Sequence, residues 1–440
     1  MMAFVGGSPA IGLWLEVPKP NLSSKGWSLV AVASAFATYY CMYGFRKPFT
    51  VLAFEGDWWG GVQLKTAIVT SQLIGYFAAK ILGTRICSGL HRERIFPALM
   101  ICILGALGSL ALLPLLPWNL GVLALALNGL ALGMVWGMVM RPLEGRGNSE
   151  FLLAGLCCSF IIASGDVKTV GNQVLVSSWF ADYFGSDLWM PFATACLYLV
   201  PFAIAAFALS KVPMPGTNEC IERHERHAMN REDRWQFIRS LWLPLLPLAI
   251  TFFLLTSFRD YRDNFQADLF IEVGVSLNDN TRAFSNSERL IAFAVVSVTA
   301  LVMLIKRHLL ALQTTHIVMA VALSLPAVAV FLRESGIIDG FTWMILSGTG
   351  AYIPYILIHC VIFERLVAFT KVTGNSVFAL MLFDAIGYVG PILMIPLSDW
   401  LGSSSRLAVF DTFTFLLSAV GILCMLLSIF LTPRLQKDHV

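Results

Sequence analysis

Charge is what this chain has least of. Only 13% of its 440 residues are Asp, Glu, Lys or Arg, while 57% are hydrophobic and the mean hydropathy is +0.75. Soluble domains carry roughly 25% charged residues, so an ordinary soluble fold is excluded before any segment is read. The formal net charge of +3 is too weak a field to draw nucleic acid, and no nucleic-acid partner is expected. A disulfide framework is missing too. The nine cysteines are odd in number, sit mostly in apolar runs and include no CxxC pair, as free cysteines packed like small hydrophobes do. The first twenty residues lack a cationic start, an apolar core and a small-residue cleavage site, so no cleaved signal peptide is expected. There is no P-loop, no Gly-x-Ser-x-Gly and no His-Glu-x-x-His. Neither ATP drive nor hydrolysis has a basis in the sequence, and no enzyme activity, cofactor or metal is expected. His224 and His227 have no further ligand set and read as part of a solvated linker.

What the chain does have is about twelve apolar segments, most near the ~20 residues that cross a ~30 Å hydrocarbon core. Their cores run over 27–52, 65–82, 95–116, 120–140, 151–176 and 188–209, then 241–258, 290–305, 315–331, 341–362, 377–397 and 407–431. The longest clearly polar connection, 211–239, separates the two sets. The expected fold is an all-α integral membrane protein with twelve transmembrane helices in two pseudo-symmetric six-helix bundles. The domains expected are a segment 1–26, a bundle 27–210, the linker 211–239, a second bundle 240–431 and a tail 432–440. Most Lys and Arg residues fall on the connections that share a side with the linker, including Arg85, Arg92, Arg94, Arg141, Lys306 and Arg307. The positive-inside rule then places both termini and the linker in the cytoplasm of a multi-pass inner-membrane protein.

The halves echo each other. MYGFRKPF closes the first segment and LTSFRDYRDNF the seventh, each with a Phe-Arg step at Arg46 and Arg259. The connections after the fourth and tenth segments both end in Gly-Asn-Ser, at Gly147-Asn148-Ser149 and Gly374-Asn375-Ser376. Such an internal repeat makes the two sets of six segments equivalent halves of one plan.

With this 6+6 plan and its basic central loop, the chain resembles the major facilitator superfamily over nearly its whole length. The loop GTRICSGLHRER keeps Gly83, Arg85, Arg92 and Arg94 of that superfamily's signature but lacks its acidic residue. Arg46-Lys47-x-Phe49 is similar to the Arg-Lys-Asn-Phe element of the organophosphate:phosphate antiporters, with Pro48 in place of the Asn. In those proteins one arginine of the first span and one of the seventh grip the substrate phosphate, and the resemblance carries this role to Arg46 and Arg259. The charged run after Phe258 resembles an uncharacterised bacterial subfamily that implies no substrate.

Charges inside hydrocarbon need a partner, a wet cavity or a ligand. At helical spacing Tyr39, Tyr43, Arg46 and Thr50 share one face. A guanidinium offers a planar fork matched to phosphate or carboxylate. Arg46 and Arg259 are therefore the expected substrate grips, supported by Lys168 and Lys47, with Tyr39, Tyr43, Gln72 and Tyr76 lining the cavity. Pairing of Arg259 with Asp263, and of Arg262 with Asp260 or Asp263, is the competing reading, with Arg262 near the outer water. Asp166 and Lys168 lie two residues apart on the fifth segment, so each wants a partner on another span, and Gly165 and Gly171 would admit a neighbouring helix. Asp166 and Asp384 are the expected coupling carboxylates. Gly129, Gly133 and Gly137 form a small-xxx-small stripe that reads as helix packing.

The function expected is secondary active transport of a small organic or phosphorylated anion by alternating access, by a monomer in the lipid bilayer. Phosphate exchange and proton symport through Asp384 both remain open as couplings. The alternatives are a proton-coupled exporter of drugs or metabolites using Asp166 and Asp384, and a transporter-like sensor signalling through the linker.

Overall fold

The computed structural model describes residues 24–89, 92–117, 120–143, 149–213, 231–277, 280, 282–370, 376–400 and 405–433. His224, His227, Gly147, Asn148, Gly374 and Asn375 lie outside them, as does most of the central linker.

Among the described residues, eleven helices are long and apolar enough to cross a membrane. Ser24–Tyr43, at 20 residues, completes a set of twelve as the first span. The next five are Leu64–Gly89, Ile95–Leu112, Gly121–Met140, Ser149–Leu175 and Met190–Lys211. The second six are Arg231–Asn264, Ala283–Met303, His308–Glu334, Gly340–Thr370, Ser376–Trp400 and Arg406–Leu431. Large side chains such as Ile101, Ile204, Phe293 and Phe430 are exposed, which is how a lipid-facing surface reads. The chain is a multi-pass membrane protein.

The repeat seen in the sequence is realised in the packing. The first span lies against the fifth and sixth, the second and third against the fourth, and the third against the sixth. In the second set the seventh packs on the eleventh and twelfth, the eighth and ninth on the tenth, and the ninth on the twelfth. The two halves meet where the second span crosses the eleventh and the fifth crosses the eighth, which are equivalent pairs. Even the irregularities correspond. The fourth span breaks at Gly133–Met134, and the tenth passes through a π-helical stretch at Ile358–Ile362.

Two span boundaries differ from expectation. The first helix ends at Tyr43, nine residues before the apolar run does. Gly44 lies against the Tyr198 ring, and Pro48 cannot donate a helical hydrogen bond. The chain turns, with Arg46 N and Lys47 N both donating to Tyr43 O at 3.0 Å, and Pro48–Val51 forms a 3-10 turn. Arg46 and Thr50 therefore do not continue the helical stripe of Tyr39 and Tyr43. The seventh helix does the opposite and runs 34 residues, through the whole charged cluster to Asn264. Its charges are paired inside the protein, so hydropathy did not mark its end. A short hairpin, Asp57–Trp59 with Val62–Gln63, follows the first span, turning through Gly60 and Gly61 at φ 61° and 80°.

The second and fourth spans touch backbone to backbone. A Cβ at Gly129 would collide with Gln72 O, and one at Gly75 with Ala126 O. Gly129→Ala should lower the thermal midpoint in detergent, by a loss of about 1–3 kcal/mol from overpacking. Gly108→Ala, where a Cβ meets nothing within 4 Å, should leave the midpoint unchanged. An equal effect at both sites would refute the close-packing account.

Candidate functional site

The site is built from the turn after the first span. Gln72 Nε2 donates to Arg46 O at 3.0 Å and to Asn128 Oδ1 at 2.8 Å, while Asn128 Nδ2 donates to Phe45 O at 3.1 Å. This amide pair, from the second and fourth spans, fixes the turn so that the Arg46 side chain enters the space between the halves. Gln72 thus holds the Arg46 backbone and is not part of the cavity lining among the described residues. The guanidinium lies 4.2 Å from the Tyr76 ring centre and 5.6 Å from that of Tyr43. Arg46 is 5% exposed, no acidic residue pairs with it among the described residues, and its Nε has no hydrogen-bond partner. A desolvated cation without a counter-charge is costly, and stacking on two rings recovers only part of what water supplied.

Arg259 reaches the same cavity from the seventh span. Its Nη2 and Nε donate to Asp260 Oδ1 at 2.7 and 3.1 Å, and it lies 4.0 Å over the Tyr355 ring. Its partner is therefore its neighbour Asp260, not Asp263. The third charged group is Asp384, whose Oδ2 accepts from Lys80 Nζ at 2.7 Å and whose Oδ1 lies 3.2 Å from His359 Nε2. Tyr39, Tyr43, Trp136, Phe160 and Tyr388 complete the wall. Tyr39 and Tyr76 share a hydroxyl contact of 3.3 Å. The cavity holds only about 30 Å³ in this conformation, room for a water molecule but for no organic anion. A ligand can enter only if the halves part.

Lys47 and Lys168, expected beside Arg46, point elsewhere. Both converge on Asp263 of the other half. Lys47 pairs with one carboxylate oxygen, and Lys168 with the other at 2.6 Å. Lys47 also donates to Asn264 Oδ1 at 2.8 Å and Lys168 to Gln266 Oε1 at 2.9 Å, while Ser164 donates to Asp263 as well. This cluster lies between the cavity and the end of the molecule that holds the hairpin. Around it, Lys65 meets Asp268 at 2.7 Å, and Arg406 binds Thr66 at 2.8 Å, Asp399 at 2.7 Å and Gln63. The fifth and eighth spans approach so closely that a Cβ on Gly165 would meet Phe284 O at 2.5 Å. The hairpin end is sealed by ion pairs that cross from one half to the other.

Asp166 also lies outside the cavity. It accepts from Tyr40 at 2.7 Å and pairs with Arg289 at 2.9 Å, a residue 60% exposed. Arg262, expected near outer water, is wholly buried because the eighth and tenth spans cover it. It donates to Glu288 Oε1 at 2.9 Å and to Met344 O at 3.1 Å, with Gln266 on the same carboxylate. Its role is to pin these spans together.

Residues 48–434 match DUF5690, a family of unknown function. The chain belongs to that family. No curated protein matches the sequence. In fold, this family member is similar to the crystal structure of a D-xylose–proton symporter, with a TM-score of 0.58 and 14% identity over 91% of this chain and 96% of that one. It is equally similar to the crystal structure of the peptide transporter POT, with a TM-score of 0.58 and 13% identity over 93% and 95% of the two chains. Identity so low speaks for the fold alone, and the fold is that of the major facilitator transporters.

Three cavity or closure residues carried no readable signal in this DUF5690 sequence. Lys80 stands at the edge of an apolar run and reads as a snorkelling cation. His359 is a lone histidine in an apolar span. Asp263 reads as a local partner for Arg259 or Arg262, with nothing in the sequence pointing to Lys47 and Lys168. Each gains its meaning only from a partner far away in sequence.

Proposed function

We propose that this chain is a secondary active transporter of the cell membrane whose cargo is a small organic or phosphorylated anion. The observation that carries the reading is the buried guanidinium of Arg46, which faces a cavity shared by both halves and has no acidic partner among the described residues. An anion would supply the missing counter-charge through two parallel N–H donors, with Arg259 opposite it. Tyr39, Tyr43 and Tyr76 would orient the ligand. With the basic linker in the cytoplasm, the hairpin end faces outward, and the Lys47–Asp263–Lys168 cluster is the outer closure. Alternating access then means breaking that cluster while the halves rock about the cavity.

The test is counterflow in proteoliposomes loaded with inorganic phosphate, with labelled phosphate, labelled xylose and a labelled dipeptide offered in parallel. Phosphate exchange that a trapped organophosphate also drives is the expected result. Flux of xylose or dipeptide without flux of phosphate would refute the anion reading.

A further inference from the structure

The most informative contact in the cavity is the one between His359 and Asp384. His359 lies in the π-helical stretch of the tenth span, a distortion often found at functional sites. Its Nδ1 is 2.9 Å from Tyr355 O. A carbonyl oxygen only accepts, so Nδ1 carries a hydrogen. Its Nε2 is 3.2 Å from Asp384 Oδ1. In a neutral ring protonated at Nδ1, the Nε2 lone pair would point at a carboxylate oxygen, two acceptors facing each other. The contact is attractive only if a second proton lies between them. Lys80 Nζ, 2.7 Å from Oδ2, holds Asp384 ionised, so that proton belongs on the ring.

We propose that His359 and Asp384 form a proton-binding site, in which His359 is an imidazolium, and that this proton travels with the anion. The proposal rests on the anion-carrier reading of the same cavity. The groups facing the pair are Lys80 from the second span, Arg259 with its Asp260 from the seventh, Tyr388 from the eleventh and Tyr355 on the same helix as His359. Arg46 reaches them across the Tyr76 and Tyr388 rings, and the free thiols of Cys157, on the fifth span, and Cys360 hydrogen-bond to each other. With the ring protonated, the cavity holds four cations (Arg46, Lys80, Arg259, His359) against two acids (Asp260, Asp384). Without that proton, it holds three cations against two acids.

Release is a simple proton transfer. The Nε2–H bond breaks, its electron pair stays on nitrogen, and water takes the proton. The freed lone pair then repels Oδ1. Asp384 is left to Lys80 alone, and Lys80 belongs to the other half of the molecule. Losing the proton therefore weakens the hold on an anion and tightens a bridge between the halves in one event.

Histidine-selective nitrogen NMR tests this on the full chain in lipid nanodiscs with no anion added. The measurement is made at about pH 7.5, where an ordinary imidazole is mostly neutral. His359→Gln assigns the signal by its loss. Both ring nitrogens of His359 should be protonated in the wild type, and one only in Asp384→Asn. Lys80→Arg keeps a cation beside Asp384 and should keep the ring doubly protonated, and this variant serves if Asp384→Asn does not fold. A neutral ring in the wild type, or in Lys80→Arg, would overturn the proposal. A ring that ignores Asp384→Asn would do the same. The NMR result does not depend on cargo, so failed phosphate exchange leaves the imidazolium standing and removes only its coupling to an anion. A neutral ring, conversely, leaves the Arg46 reading intact.

Discussion

Arg46→Ala is expected to abolish anion exchange and to leave the protein folded. Both halves of that statement come from the same fact. Arg46 makes no ion pair among the described residues, so truncation frees no buried acid and removes a desolvated charge from the protein. Its backbone carbonyl, held by Gln72 at 3.0 Å, survives the change. The thermal midpoint in detergent should stay or rise. Transport should suffer by the worth of a buried charged contact, about 2–5 kcal/mol, or roughly 30- to 4,000-fold in exchange rate. Arg46→Lys keeps the charge without the planar fork and should fall between the two. Normal phosphate exchange by a well-expressed Arg46→Ala protein would end this account of the site.

The second large effect is expected at Asp263. Two buried ammonium groups, Lys47 and Lys168, share this one carboxylate. Asp263→Ala strands both without a counter-charge, a change that typically costs about 3–5 kcal/mol. The cost falls on the closed conformation, so part of it appears as opening. The thermal midpoint should drop, and a cysteine placed at Ser164 in a cysteine-free background should react faster with an impermeant maleimide. Adding Lys47→Met and Lys168→Met to Asp263→Ala should restore the midpoint, because no orphaned charge remains. A midpoint and a labelling rate that both ignore Asp263→Ala would exclude a closure role for the cluster.

The sequence told more about architecture than about pairing, for a physical reason. Twelve apolar runs and a repeated Phe-Arg step are local signals, and the packing repeats them helix by helix. Arg46, Arg259, Tyr39, Tyr43 and Asp384 do meet at one cavity, because residues at matching ends of repeated helices converge on the shared axis. What could not be read is which charge neutralises which. Lys47 follows Arg46 directly, yet the turn sends one to Asp263 and the other to a ring-lined cavity. The seventh helix outruns its hydropathy because Arg262 finds Glu288 and Asp263 finds two lysines. Those partners come from other spans, so the run Arg259–Asn264 offers only pairings within itself when read as sequence. The π-helical stretch that positions His359 has no sequence signature at all.

The lone charge of Arg46 also makes the protein an electrical device. On the proposed reading, an unloaded cavity carries an uncompensated positive charge with or without the His359 proton, while one holding a doubly charged anion together with that proton does not. Opening the cavity to one side or the other changes how much of the membrane potential that charge feels. Each elementary charge moved through the full field is worth about 2.3 kcal/mol per 100 mV. In a cell that is negative inside, voltage therefore acts chiefly on the empty form, drawing its cavity toward the cytoplasm. The loaded form is left to move on its chemical gradient.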